Sequence, residues 1–225
     1  MNSGMSLLDR TRKGLAIILV SGSVALGQSK VTAPEAAEAE MRAHTEMIAG
    51  NYGKVIPEID LVLDYIRSVE NEAEQRNLVA KAEKLFFYKA FCYVATEQYE
   101  EAVPLLDTFL SLYPRSIHRK TAITLKILSL SSLERWEETR QTLEFVLQNT
   151  VLPRDERMEL LMSLAEVNRT LENHEQAFPL YSSVMTGARD PSLKMTAISR
   201  MLDTVLRLQK TERLYKMIPL LQGRV

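Results

Sequence analysis

The chain has 225 residues, 46% of them hydrophobic and 25% charged, with 28 Lys and Arg set against 29 Asp and Glu. Such a composition suits one ordinary domain or a short repeat array and argues against a disordered chain. Balanced charge, without a cationic stretch interleaved with aromatics, argues against a nucleic-acid partner, and a single cysteine, Cys92, rules out an intramolecular disulfide framework.

At the N-terminus, Arg10, Arg12 and Lys13 precede the apolar run Gly14 to Val20, which continues through Ser21, Gly22, Ser23 and Val24 to Ala25 and Gly27. This is the layout of a secretory signal peptide, with small residues at the −3 and −1 positions, so cleavage is expected after Gly27. The apolar core, about 13 residues, is too short to span a bilayer comfortably; retention as an uncleaved anchor is the alternative. No cysteine follows the core, which closes the lipid-attachment route. The expected mature chain is exported, periplasmic or secreted, without a direct membrane span. Losing the first 27 residues leaves 25 basic and 28 acidic side chains.

After a short linker over 28–34, residues 35–225 read as helix throughout. Glycine and proline are scarce, with 8 of each, while Leu, Ala, Glu, Met, Lys and Arg fill long stretches. One pattern then returns at intervals. Tyr52, Tyr99, Trp136, His174 and Leu214 each open a helix, followed three residues on by Val55, Ala102, Thr139, Ala177 and Met217. Five residues on stand Pro57, Pro104, Gln141, Pro179 and Pro219, and so rare a residue recurring in phase marks a true repeat. The segment Glu97 to Leu106, with Phe109, Leu110, Tyr113 and Pro114, resembles the second half of a tetratricopeptide repeat.

That resemblance implies an all-α solenoid of about five antiparallel helix pairs. The pairs are read as 35–49 with 53–68, 76–96 with 100–112, 118–133 with 137–149, 154–171 with 175–186, and 192–209 with 212–222. Spacings of 47, 37, 38 and 40 residues exceed the family's usual repeat, and the largest excess falls near Arg67 to Gln75, where longer helices or a solvated extension would absorb it. Ala90 and Ala165 occupy the small position of the first helices, and Ile127 departs from it. No domain boundary is expected after residue 33, since stacked repeats bury each other's apolar faces.

Catalytic groups do not converge. His44, His118 and His174 fall in different repeats without metal-ligand spacing, no phosphate loop is present, and Glu100, Glu101, Glu137 and Glu138 sit where acidic residues favour a helix start. Neither an enzyme, a metal site nor a cofactor is expected. Cys92 reads as a small buried hydrophobe, and Asn168-Arg169-Thr170, formally a glycosylation acceptor, falls within a helix.

In tetratricopeptide arrays the first helices line the concave face. The resemblance therefore points to Phe87, Phe91, Thr124, Leu128, Met162 and Glu166 as candidate partner contacts, with Arg169 nearby. The family's Lys and Asn carboxylate clamp is missing from those positions. These apolar residues either receive an amphipathic helix or extended segment, or lie buried between neighbouring helices. The run Tyr99 to Ser116 is also similar to repeats of bacterial envelope assembly lipoproteins and Tol-Pal coordinators, which implies a non-catalytic protein-binding adaptor. The apolar run Met217 to Leu221 leaves self-association through a C-terminal helix as the alternative.

Overall fold

A computed structural model describes residues 31–208, so the expected signal segment and the expected anchor positions Leu214, Met217 and Pro219 lie outside the described residues. The described chain is all α-helix: α1 (Ala33–Ile48), α2 (Tyr52–Ser68), α3 (Glu72–Ala95), α4 (Tyr99–Leu112), α5 (Arg119–Ser132), α6 (Trp136–Asn149), α7 (Arg154–Thr170), α8 (His174–Gly187) and α9 (Pro191–Arg207). Consecutive helices pack antiparallel from α1 to α5 and from α6 to α9, in a tetratricopeptide-like repeat fold. Four expected anchors, Tyr52, Tyr99, Trp136 and His174, are the first residues of α2, α4, α6 and α8.

Local chemistry explains the starts and stops. Three first helices are capped by side chains: Thr32 and Glu35 form a reciprocal capping box on α1, Asn71 accepts from the N–H groups of Ala73 and Glu74, and Asp190 from those of Ser192 and Leu193. The second helices begin differently. Their N-caps Asn51, Gln98, Arg135 and Asn173 make no side-chain cap bond but share one backbone conformation, with ψ of 56, 67, 60 and 56°. Each follows a left-handed residue: Gly50 at φ 74°, Glu97 at 60°, Glu134 at 56° and Glu172 at 59°.

The hydrogen bonds identify this turn as a Schellman closure. Asn51, Gln98 and Asn173 N–H groups donate to the carbonyls of Glu46, Tyr93 and Asn168, five residues back. Gly50, Glu97 and Glu172 donate to Met47, Val94 and Arg169. A left-handed residue thus recurs in phase before each of these second helices, and glutamate occupies three of the four sites where glycine is the ordinary choice.

The core has the same period. Third, seventh and tenth after each anchor stand Val55, Ile59 and Val62; Ala102, Leu106 and Phe109; Thr139, Leu143 and Val146; and Ala177, Tyr181 and Val184, all buried. Ala90 and Ala165 are buried mid-helix as expected, and Ala43 holds the corresponding place in α1. The extra length near Arg67 to Gln75 is spent on helix: α3 starts at Glu72 and runs 24 residues.

By their internal contacts the residues fall into two compact units, the first ending at Leu133 and the second beginning at Glu134. In the first, one apolar cluster runs from Ala39 to Ala122. Two ion pairs tie its successive repeats at equivalent places, Lys89 to Asp60 at 2.5 Å and Lys126 to Asp107 at 2.6 Å. In the second unit, α7, α8 and α9 close around Met158, Met162, Ala165, Tyr181, Val184 and Met201.

Candidate functional site

The candidate contacts fall into the two units. In the first, α3 places Phe87 and Phe91 one turn apart, yet their environments differ. Phe87 is only 5% exposed; its ring stacks on His118 with centroids 4.3 Å apart and meets Phe109 at 5.8 Å. Phe91 is half-buried and meets Tyr52 edge-on at 5.5 Å. Phe87 is therefore a core residue. Of the two positions open to it from the sequence, ligand-facing or buried between helices, it takes the buried one, because α5 begins close enough to α3 for His118 to cover the ring.

The two candidates on α5 are open. Thr124 is exposed and its hydroxyl donates to the Lys120 carbonyl, and Leu128 is 48% exposed. Ile117, Thr121, Thr124 and Leu128 follow a spacing of four, three and four residues, which lines up one uncharged stripe along an exposed side of α5 and the turn residue two positions before it. Ile117, 89% exposed, was not singled out from the sequence, and the same spacing could have found it.

In the second unit, Met162 is buried in the core between α7, α8 and α9, with only 8% of its surface exposed. Glu166 and Arg169 are committed to each other: the guanidinium donates to one carboxylate oxygen at 3.0 and 2.8 Å. The other oxygen accepts from the fully buried Tyr181 hydroxyl at 3.0 Å and pairs with Arg200 at 3.0 Å. One carboxylate thus joins α7, α8 and α9. Burial first, then the Glu166 charge, holds the Tyr181 phenol far above its ordinary pKa. A half-buried carboxylate so fully occupied has little capacity left for a ligand. The three side chains expected here as contacts serve packing instead.

Other residues of chemical interest are also placed. Cys92 is buried, and desolvation pushes its thiol up to about 11, so it is not a thiolate at neutral pH. Asn168 is buried, with its amide donating to the Leu164 carbonyl, which leaves no room for a glycan. His174 is half-buried at the start of α8. Among the described residues, no group of three His, Cys, Asp or Glu is arranged to hold a metal ion, and no helix is long and apolar enough to cross a membrane.

Sequence reasoning missed a basic cluster. Arg115, His118, Arg119 and Lys120 stand together in the sequence, and the stacking of His118 on Phe87 brings the imidazole within 6.3 Å of the Tyr88 ring, over which Lys84 lies. The run itself was legible; its neighbours on α3 were not.

No family model matches this chain, and no curated protein matches it in sequence. Solved structures do resemble it. Crystal structures of Podosopora anserina kinesin light chain nearly identical TPR-like repeats superpose with a TM-score of 0.53, covering 84% of this chain. They cover 95% of one of those chains at 14% identity, and 97% of the other at 15%. MamA of AMB-1 aligns over 68% of this chain and 98% of its own at 16% identity, with a TM-score of 0.40. The likeness to the kinesin light chain repeats, joined to the in-phase turns and core positions, identifies the fold of this chain as tetratricopeptide-like.

Proposed function

We propose that the protein is a non-catalytic protein–protein interaction scaffold of the periplasm, and that the α5 side of its first unit receives the partner. The supporting observation is the uncharged stripe of Ile117, Thr121, Thr124 and Leu128, which leaves two large aliphatic side chains in water on a helix whose opposite side is buried. Half-buried Phe91 holds on α3 the place that Leu128 holds on α5, which extends the stripe toward the preceding repeat. Periplasmic location rests on the basic, apolar and small-residue layout of residues 10–27.

Immobilised full-length chain should retain a defined protein from envelope extract, and Leu128→Asp should abolish that capture without changing the helical circular dichroism. Undiminished capture by the variant would remove the stripe from the proposal. Export is checked by the intact mass of the chain recovered from the periplasmic fraction, expected to lack residues 1–27; a cytoplasmic chain keeping them sinks the localisation.

A second reading, a self-associating structural component, is favoured by α9, where Met195, Leu202 and Leu206 are exposed at spacings of seven and four residues. Concentration-dependent sedimentation that Leu202→Asp abolishes would support it, and a monomer at high concentration would not.

A further inference from the structure

In the second unit the buried Val205 of α9 stands 40 residues after the buried Ala165 of α7, so Leu202 and Leu206 take on α9 the places of Met162 and Glu166 on α7. On α7 that face receives the next first helix. Met162 shares one apolar cluster with Ala197 and Met201 of α9, and Glu166 pairs with Arg200 at 3.0 Å. On α9 the same face is open. Met195, Leu202 and Leu206 are 65, 38 and 65% exposed, with exposed Ser199 between them, and no further first helix follows among the described residues.

The first unit begins with the face that such a helix would meet. On α5, buried Ala122 and half-buried Leu125 face the preceding repeat, where they join the first unit's apolar cluster. They stand five and two residues before Ile127; Glu38 and Met41 stand at the same intervals before Ala43 on α1. No described first helix precedes α1, and Glu38 and Met41 are both exposed. With Arg42, Thr45, Pro57 and Glu58 they line an open groove of about 620 Å³ between α1 and α2. Stacked repeats bury their faces by this contact of one first helix with the next, and α9 and α1 are the two that lack a neighbour on one side among the described residues.

Charge selects the occupant. Along α1, Glu35, Glu38, Glu40 and Glu46 stand against Arg42, whereas along α9, Lys194, Arg200 and Arg207 stand against Asp203. Two α9 helices laid together would gather like charges; α9 against α1 brings opposite ones together. Glu38 reaches Arg42 at 3.7 Å, beyond hydrogen-bond length, because Glu58 holds that guanidinium at 2.9 Å. Arg207 donates its Nε to Asp203 of its own helix, and a guanidinium has further donors for a second carboxylate. We propose that the open face of α9 receives α1 of a second copy, so that copies join head to tail. In the register that seats Arg200 on Glu166, Glu38 of the incoming copy falls at Leu206, next to Arg207, and Met41 rests on the apolar stripe. The inference rests on the self-associating reading above and names the surface that α9 meets. Because the two faces differ, each added copy leaves a free face, and association goes beyond a dimer.

The test uses the full chain carrying either Met41→Cys or Leu202→Cys; Cys92 is buried and stays out of reach of the reagent. A short bifunctional maleimide should join the two variants when they are mixed and should join neither to itself. Sedimentation should show species larger than a dimer at high concentration, dissociating as salt rises. Glu38→Lys and Arg207→Glu should each weaken association at least about tenfold, and the double variant should recover most of the loss. A mixture that does not cross-link overturns the proposal. Cross-linking of Leu202→Cys to itself overturns the head-to-tail contact and leaves self-association standing. A monomer at high concentration overturns both, and a Leu202→Cys thiol shielded in that monomer assigns the cover of α9 to residues 209–225. Capture of an envelope protein that Leu202→Asp abolishes, with no cross-link in the mixture, gives α9 to another partner and likewise overturns the proposal.

Discussion

Replacing Glu97, Glu134 and Glu172 with glycine should stabilise the protein, although each substitution shortens a side chain and adds a flexible residue. The three glutamates hold φ between 56 and 60°. For a residue with a Cβ that conformation costs about 1–2 kcal/mol, because the Cβ crowds the following carbonyl oxygen. Glycine removes the crowding but gives the unfolded chain extra freedom, which takes back about 0.4–1 kcal/mol. The three side chains are exposed and form no ion pair or side-chain hydrogen bond among the described residues, so no contact is sacrificed. The net gain is about 0.5–1 kcal/mol at each turn. The sites lie in separate turns and should add, giving about 1.5–3 kcal/mol for the triple variant. For a chain of this size that corresponds to roughly 3–12 °C in the melting temperature.

Gly50 supplies the mirror experiment. It holds φ 74°, and a Cβ placed there finds nothing within 4 Å, so Gly50→Ala tests the backbone conformation without a clash and should destabilise by about 0.5–1 kcal/mol. Thermal and urea unfolding followed by circular dichroism read both. Glu100→Gly, an exposed glutamate in the first turn of α4, is the control and should destabilise by a few tenths to about 1 kcal/mol. If the three turn substitutions were neutral, or as damaging as the control, the left-handed conformation would not be what sets their stability.

Other expectations follow from particular contacts. Gly53→Ala, only three residues from Gly50, should stabilise by about 0.5–1 kcal/mol in urea melts, because the position is helical and the new Cβ meets only Thr96 Cγ2, at 4.0 Å. Gly187→Ala should destabilise by about 1–3 kcal/mol, since its Cβ would fall 2.5 Å from Met158 Sδ in the packed second unit, and Met158→Ala should recover part of the loss. Phe87→Ser should lower stability by roughly 3–5 kcal/mol, as expected of a core ring, whereas Phe91→Ser should cost less. Burial pushes Tyr113 up to about 12 and Tyr181 higher still, so the folded chain keeps protons that the unfolded chain releases near pH 10. Stability is therefore complete below pH 10 and falls as pH rises beyond it, and Tyr113→Phe should flatten that fall in melts across pH 9 to 12. Cys92 should resist thiol reagents at pH 8 in the folded protein and react once urea unfolds it; immediate reaction would contradict its burial.

Much of the fold was legible because a repeat writes the same physical requirement several times. Tyr52, Tyr99, Trp136 and His174 are large residues at matched points of a pattern, and each does begin a helix. Val55, Ala102, Thr139 and Ala177 follow at a fixed interval and are all fully buried. The site was less legible. Phe87 and Phe91 are the same residue type one turn apart, and sequence treats them alike; His118, reaching over from the start of α5, buries one and leaves the other half-open. Glu166 and Arg169 look like surface charges until Tyr181 and Arg200 arrive from α8 and α9 to occupy the same carboxylate.

By itself, then, the sequence determined helix content, period, and the starts of the second helices, because these depend on interactions within a few residues and recur. Tertiary structure alone decided which apolar side chains face water and which charges are spent internally. Each of those depends on a neighbour from another helix. The glutamate turns stand between the two levels: Glu97, Glu134 and Glu172 precede their anchors at one interval in the sequence, but only the folded backbone reveals that each stands where glycine is the ordinary choice.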